Sequence, residues 1–245
     1  MKSFLTALQF LTSLPIKIKG EVSDRDLAGS MAWFPAIGLL IGCVLALSYN
    51  ILILILPHAV ACAFIMIINV VVSGGLHIDG FIDTFDAIAS GADRKRMLEI
   101  MREGRPGAIG IASAILLFIA KYSLLVSLPK GTVEVSLIAM AVLSRGSFVA
   151  SSAFYPYARQ GEGLGEKFAR RITKKDIAIS AATLLAVLAA ILRMKILIFI
   201  PAACCAILVF DGYFLRKFGG ITGDTMGALG EIMEVISLAL IVVLI

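Results

Sequence analysis

Seven blocks of almost unbroken apolar sequence constrain this chain more than any other feature. They cover residues 33–56, 59–75, 107–128, 135–154, 177–192, 196–215 and 226–245. A helix needs about 20 apolar residues to cross the hydrocarbon of a bilayer. A buried helix of a soluble protein could account for one or two such blocks. It could not account for seven, because no amphipathic segments remain to cover them. Composition agrees: the 245 residues are 60% hydrophobic and 16% charged, with a mean hydropathy of +0.99, where soluble domains run at about 45–50% and about 25%. The expected fold is all-α: a polytopic transmembrane helical bundle of about seven spans, forming one integral membrane domain over residues 1–245. Lys2 followed by the apolar run 4–14 has no small-residue cleavage site after it. Phe4, Leu8 and Leu11 recur at helical spacing, so an N-terminal interfacial helix is expected there. Cys43, Cys62, Cys204 and Cys205 all fall in apolar blocks with no ligand or disulfide spacing, and read as small apolar fillers.

The basic residues give the blocks an orientation. With the N-terminus placed in the cytoplasm, one side collects Lys2, Lys17, Lys19 and Arg25, then Arg94, Lys95, Arg96, Arg102 and Arg105. It also collects Arg159, Lys167, Arg170, Arg171, Lys174 and Lys175, and finally Arg216 and Lys217. That is 17 of the 22 lysines and arginines; the other side holds only Lys130, Arg193 and Lys195, while Lys121 and Arg145 fall inside spans. Such asymmetry marks the cytoplasmic face. The net charge of +5 therefore reflects topology and contact with anionic headgroups. Basic residues interleaved with exposed aromatics are absent, so nucleic acid is excluded as a partner.

The chemistry concentrates on that face. In 74–87, Gly-Gly-Leu-His-Ile-Asp-Gly-Phe-Ile-Asp-Thr-Phe-Asp-Ala, the carboxylates Asp79, Asp83 and Asp86 follow i, i+4, i+7. On a helix they project within about 60° of one another. Like charges so placed repel, and a divalent cation among the oxygens reverses the sign of the interaction. Mg²⁺ is the natural guest, because carboxylates plus substrate phosphates are its usual ligands. Gly80 would let a bulky ligand approach the metal, and His77 would orient a ligand or act as a base. A plain solvated helix start would explain one aspartate, not three. The loop Glu99-Ile100-Met101-Arg102-Glu103-Gly104-Arg105-Pro106-Gly107 sets Arg102 and Arg105 around a glycine at the mouth of a span, which suits phosphate contact; the plain alternative is a basic loop that only fixes topology. A third stretch, 218–234, contains Gly219-Gly220-Ile221-Thr222-Gly223-Asp224-Thr225-Met226-Gly227. Asp224 could join the same metal, and Asp224, Gly227 and Glu231 share a face; the alternative is a glycine-rich turn with its N-cap at Asp224 or Thr225. Arg145 inside a span, and Arg159 in the stretch 155–163, are weaker candidates, with Asp211 the partner of Arg145 or a member of the site.

Carboxylates, arginines and glycine-rich turns at membrane depth imply Mg²⁺-dependent transfer of a phosphate or diphosphate, by positioning and electrostatics. The stretches at 74–86, Glu99-Ile100-Met101 and Gly219-Gly220-Ile221-Thr222-Gly223-Asp224-Thr225-x-Gly227-Ala228 resemble the cobalamin synthase family, the adenosylcobinamide-GDP ribazoletransferases. So do the opening at 4–15 and Phe34-Pro35-Ala36-Ile37-Gly38. The resemblance implies a multi-pass enzyme of the cell membrane with its active site facing the cytoplasm. Its cofactor would be Mg²⁺, and its substrates adenosylcobinamide-GDP and α-ribazole or α-ribazole 5′-phosphate. The acceptor ribose hydroxyl would take the cobinamide phosphate and release GMP, giving adenosylcobalamin or its 5′-phosphate. The expected site is then His77, Asp83 and Asp86 for catalysis, and Asp79, Asp83, Asp86 and Asp224 for the metal. Gly80, Glu99, Arg102, Arg105, Arg145, Arg159, Thr222, Gly223 and Glu231 would bind substrate. One departure is that Arg102-Glu103 stands where the family usually has Lys-Asp, so Glu103 is trusted less as a ligand. A homo-oligomer, the preferred acceptor and the identity of the base stay open.

Two competitors fit less well. A CDP-alcohol phosphotransferase of phospholipid synthesis would use the same logic, but its Asp-x-x-Asp-Gly-x-x-Ala-Arg motif is missing and Asp83 stands where it has Ala. An ion-coupled transporter would place its acids near the bilayer midplane in repeated halves; here they lie at span ends and no repeat is visible.

Overall fold

A computed structural model describes residues 2–129, 131–159 and 172–244. Within them the chain is helical, and the one pairing of extended backbone is an isolated bridge between Tyr157 and Ile221. The helices are α1 (Lys2–Leu11), α2 (Asp24–Ser30), α3 (Phe34–Leu52), α4 (His58–Ser73), α5 (Leu76–Ala89), α6 (Arg94–Ile100), α7 (Ala108–Ser127), α8 (Val133–Phe154), α9 (Lys174–Leu192), α10 (Ile196–Phe218) and α11 (Gly223–Leu244). Gln160–Gly163 of the stretch named above, with Lys130, Lys167, Arg170, Arg171 and Ile245, lie outside the described residues.

Among the described residues five helical stretches are long and apolar enough to cross a membrane, and a sixth span arises if α4 and α5 count as one bent element. One of the five, Lys174–Phe218, contains both α9 and α10, broken at Arg193, which takes a φ of 52°. Ser180 and Leu184 of α9 line one cavity with Ala203 and Ile207 of α10, so the two helices fold back beside each other. The expectation of about seven spans compares with five, or six with the bent pair, among the described residues.

The packing follows from residue size. α8 is buried along nearly its whole length and forms the axis of the bundle. α3 lies closest to it because Gly38 and Gly42 are one turn apart on the facing side. A methyl at Gly42 would sit 2.6 Å from the Ile138 Cα, so no larger residue permits that approach. Outward faces carry Leu47 and Ile51 of α3, Ile67 and Val71 of α4, Ile115 and Leu116 of α7, and Leu208 and Val209 of α10, all exposed, as a lipid-facing rim requires. Cys43, Cys204 and Cys205 are exposed on such faces and Cys62 is buried; all four are free thiols.

The expected amphipathic helix forms at α1, and the bundle takes up its apolar side. Ala7 and Leu11 are buried, Phe4 meets the Trp33 ring edge-on at 5.5 Å, Phe10 stacks on Phe34 at 6.1 Å, and the Ser13 amide donates to the Val72 carbonyl at 2.8 Å.

Two ends can be told apart. At one, His58 at the start of α4 meets Tyr49 near the end of α3 (2.9 Å) and the Val126 carbonyl near the end of α7 (3.2 Å). At the other lie α1, the α4–α5 junction, α6, the start of α7, residues 155–159 and the start of α11. At that junction Gly74 and Gly75 take φ values of 65° and 71°, a conformation costly for other residues, and the chain turns by 92°. The turn ends α4 and lays α5, with its aspartates, across the end of the bundle.

Candidate active site

Asp83 is the centre of the site. It is buried, and it feels the negative charges of Asp79, Asp224 and Asp86 together with the positive charge of Arg159. Asp224 comes from the first turn of α11, more than 140 positions away in the chain, and is brought in by a close crossing of helices. A methyl at Gly80 would lie 2.8 Å from the Asp224 carbonyl oxygen, and one at Gly227 would lie 3.1 Å from the His77 carbonyl oxygen. Gly80 is thus required by the α5–α11 crossing. The expectation that it opens room for substrate is corrected: the space in front of it is filled by backbone.

Arg159 closes the group. Its Nη2 donates to Asp224 Oδ2 at 2.7 Å, and the loop that carries it is held by the Ala158 amide donating to the Ile221 carbonyl (2.8 Å) and the Ile221 amide donating to the Pro156 carbonyl (2.9 Å). Arg102, exposed on the loop between α6 and α7, adds a second positive charge within electrostatic reach of Asp224; Arg105 is exposed on the same loop. Asp79 is exposed at the edge of the group. Beside it lies a cavity of about 220 Å³, lined by Asp79, His77, Asp224, Gly223 and several apolar side chains.

Other expected site residues are placed elsewhere. Asp86 shares the aspartate face of α5, but its two oxygens accept from the amides of Gly107 (2.6 Å) and Gly110 (2.7 Å), capping the start of α7. Thr222 is fully buried, and its hydroxyl accepts the Thr225 amide (3.1 Å) while the Thr225 hydroxyl accepts the Thr222 amide (2.7 Å); it caps α11 instead of facing substrate. Glu99 forms an exposed ion pair with Arg96 (3.4 Å), as does Glu103 (2.7 Å), so Glu99 is not brought to the aspartates. Gly223 does line the cavity, with open space where a Cβ would stand.

Arg145 and Glu231, expected to bind substrate, belong to a separate buried group deeper in the bundle. Arg145 is fully buried and donates to Glu234 (2.6 Å). Lys121 donates to Glu234 (2.7 Å) and to Glu231, and Asn69 donates to Glu234 (2.9 Å). The pairing of Arg145 with Asp211 is corrected as well: Asp211 accepts instead from the Ser151 hydroxyl at 2.6 Å. Lys121 was legible as a second charged residue inside a span. Asn69 carried no signal, and neither did the aromatic wall of the cavity.

Among the described residues, no three acidic, histidine or cysteine side chains close around a point as a ready-made metal cage. The donor chemistry suits a hard cation that takes most of its ligands from elsewhere, as Mg²⁺ does with one or two carboxylates, substrate phosphates and water. Asp79, Asp83 and Asp224 offer such oxygens, and among the described residues only Arg159 forms an ion pair with any of them.

Fold and site together define a polytopic membrane bundle with an acid-rich, arginine-edged centre at one end. A family model described as cobalamin-5-phosphate synthase matches residues 3–242, and the chain belongs to that family, the transferases of cobalamin biosynthesis. Among its relatives is the adenosylcobinamide-GDP ribazoletransferase of Clostridium acetobutylicum, 31% identical over 95% of this chain and 92% of its own length. Enzymes of the same name from Thermoanaerobacter pseudethanolicus, 32% identical over 97% and 96%, and Pseudomonas syringae pv. syringae, 33% identical over 96% and 96%, are similarly close. No solved structure matches the chain.

Proposed function

We propose that this enzyme transfers the adenosylcobinamide phosphate of adenosylcobinamide-GDP to the ribose hydroxyl of α-ribazole or its 5′-phosphate, with Mg²⁺ as cofactor. The supporting observation is the meeting of Asp79, Asp83 and Asp224 with Arg159 at one end of the bundle, beside a cavity. In the reaction the acceptor oxygen forms a bond to the cobinamide-side phosphorus, the phosphoanhydride bond breaks, and GMP leaves with the bridging oxygen. The acceptor hydroxyl loses its proton to a carboxylate, for which buried Asp83 is the best placed. Asp79, Asp83 and Asp224 would hold the cation, whose contribution when bound is to neutralise diphosphate oxygens. Arg159 fixes Asp224 through its ion pair, and Arg102 and Arg105 supply positive charge to the donor diphosphate from the exposed loop. The aspartate end of the bundle, which carries the basic loops, would face the cytoplasm at the cell membrane.

The test is an assay of the purified, detergent-solubilised protein with adenosylcobinamide-GDP, α-ribazole and Mg²⁺, following GMP. Release of GMP that depends on both substrates is expected, and its absence would sink the proposal. For orientation, a cysteine replacing Arg94 should react with impermeant reagents only from the cytoplasmic side; labelling from outside would reverse the topology.

A further inference from the structure

The cavity beside the aspartates has two unlike sides. Asp79, Asp224 and Gly223 form the side that continues into the carboxylate group, while the rest is Phe10, Phe34, Leu76, His77, Phe148 and Met226. The rings there are organised. Phe10 and Phe34 lie nearly parallel, 6.1 Å apart with 18° between planes. Phe148 stands perpendicular to Phe34 at 6.3 Å, and His77 meets Phe148 at 4.9 Å. His77 is 4% exposed, and its buried Nδ1 has no hydrogen-bond partner.

We infer that this aromatic wall receives the base of the acceptor nucleoside: an apolar, fused-ring benzimidazole whose ribose then points toward Asp83. This rests on the proposed function and assigns one substrate to one part of its site. Volume excludes the corrin, because about 220 Å³ holds a bicyclic ring and not a macrocycle. Polarity selects between the two bases present in the reaction. Guanine carries a carbonyl, an amino group and a ring N–H that each need a partner when buried. Among the described residues the wall's one side-chain polar atom without a partner is the buried His77 Nδ1, and the two carboxylates lie toward the phosphate chemistry, one of them already paired with Arg159. A benzimidazole needs little more: stacking surface for its rings and a single polar contact for its free ring nitrogen. The wall is assembled from α1, α3, α5, α8 and α11, which gives α1 a role in substrate selection through Phe10.

The experiment is equilibrium binding of radiolabelled α-ribazole and, separately, of GMP to the full-length protein in detergent, with no turnover involved. Phe10→Leu keeps apolar volume and removes the ring, while Phe10→Trp keeps a stacking surface. The wild type should bind α-ribazole. Phe10→Leu should weaken that binding about tenfold, the scale of one lost base–aromatic stack, and leave GMP binding within twofold; Phe10→Trp should restore most of the loss. His77→Ala should weaken α-ribazole binding as well. Failure of the wild type to bind α-ribazole would overturn the inference, as would a Phe10→Leu loss that falls on GMP or on neither ligand. The proposed function fails by a different reading, the absence of GMP release in the turnover assay, so the two outcomes are separable.

Discussion

Two charged groups in this protein use the same side-chain chemistry and end in opposite states. At the end of the bundle lie Asp79, Asp83 and Asp224, with Arg159 ion-paired to Asp224 and its charge felt by Asp83. Deeper, Glu231 and Glu234 are matched by Lys121 and Arg145, with Asn69 donating a further hydrogen bond. The deep group is buried and balanced in charge, two carboxylates against one lysine and one arginine, although Arg145 Nε and Nη2 and Asn69 Oδ1 have no hydrogen-bond partner among the described residues. Among the described residues the end group carries an excess of negative charge, and it reaches the surface through Asp79, where a cation from outside could join it. Ionisable residues near a membrane are therefore not all alike: the balance of charge after packing separates a brace from a candidate binding centre.

Three substitutions would break or sharpen this contrast. The largest effect belongs to Asp83→Asn, expected to lower GMP release by about 10³-fold while membrane insertion and thermal melting stay as in the wild type. Chelation of divalent ions should do the same to activity and leave melting alone. Turnover within tenfold of normal after either change would place Asp83 among the structural groups. Glu234→Ala should act the other way round. Stranding Arg145 without its carboxylate, and leaving Lys121 with Glu231 alone, should cost about 3–5 kcal/mol of stability, read as a lowered melting temperature or failed accumulation in the membrane. A protein that melts normally but is inactive would move Glu234 into the active site. The smallest effect is that of Asp86→Asn, which should weaken the cap on α7 by about 1–2 kcal/mol and leave turnover within tenfold. A loss as large as that of Asp83→Asn would show that its carboxylate serves both the helix and the reaction.

Much of this could be read from the chain. The apolar blocks foretold the bundle because hydrocarbon admits only backbone whose hydrogen bonds are closed internally, and a long apolar run then has one folded form. The block at 59–75 did not show that α4 ends at Ser73, where Gly74 and Gly75 take positive φ values and turn the chain. The motif at Asp79 and Asp83 and the glycine-rich stretch at Asp224 named the centre, and the structure brings them together across an α5–α11 crossing. Asp86 was misleading for a physical reason. A periodicity argument gives the direction of a side chain from its own helix, and it is silent about which amides of another helix arrive in front of it. Thr222 looked like a site residue by its neighbours, yet its hydroxyl is spent on the backbone of α11.

Sequence by itself therefore determined what kind of molecule this is and named the residues of the candidate site at one end of it. Those properties depend on the run length of apolar residues, the distribution of lysine and arginine, and local motifs, all of which are written along the chain. Only the tertiary structure decided which charges remain unneutralised. It joined Arg145 to Glu234, turned Asp86 to a helix start, set Arg159 on Asp224, and gathered Phe10, Phe34, Phe148 and His77 into one wall. Each of these is a contact between residues distant in sequence, and its partner is settled by how helices cross, at glycines that let backbones touch.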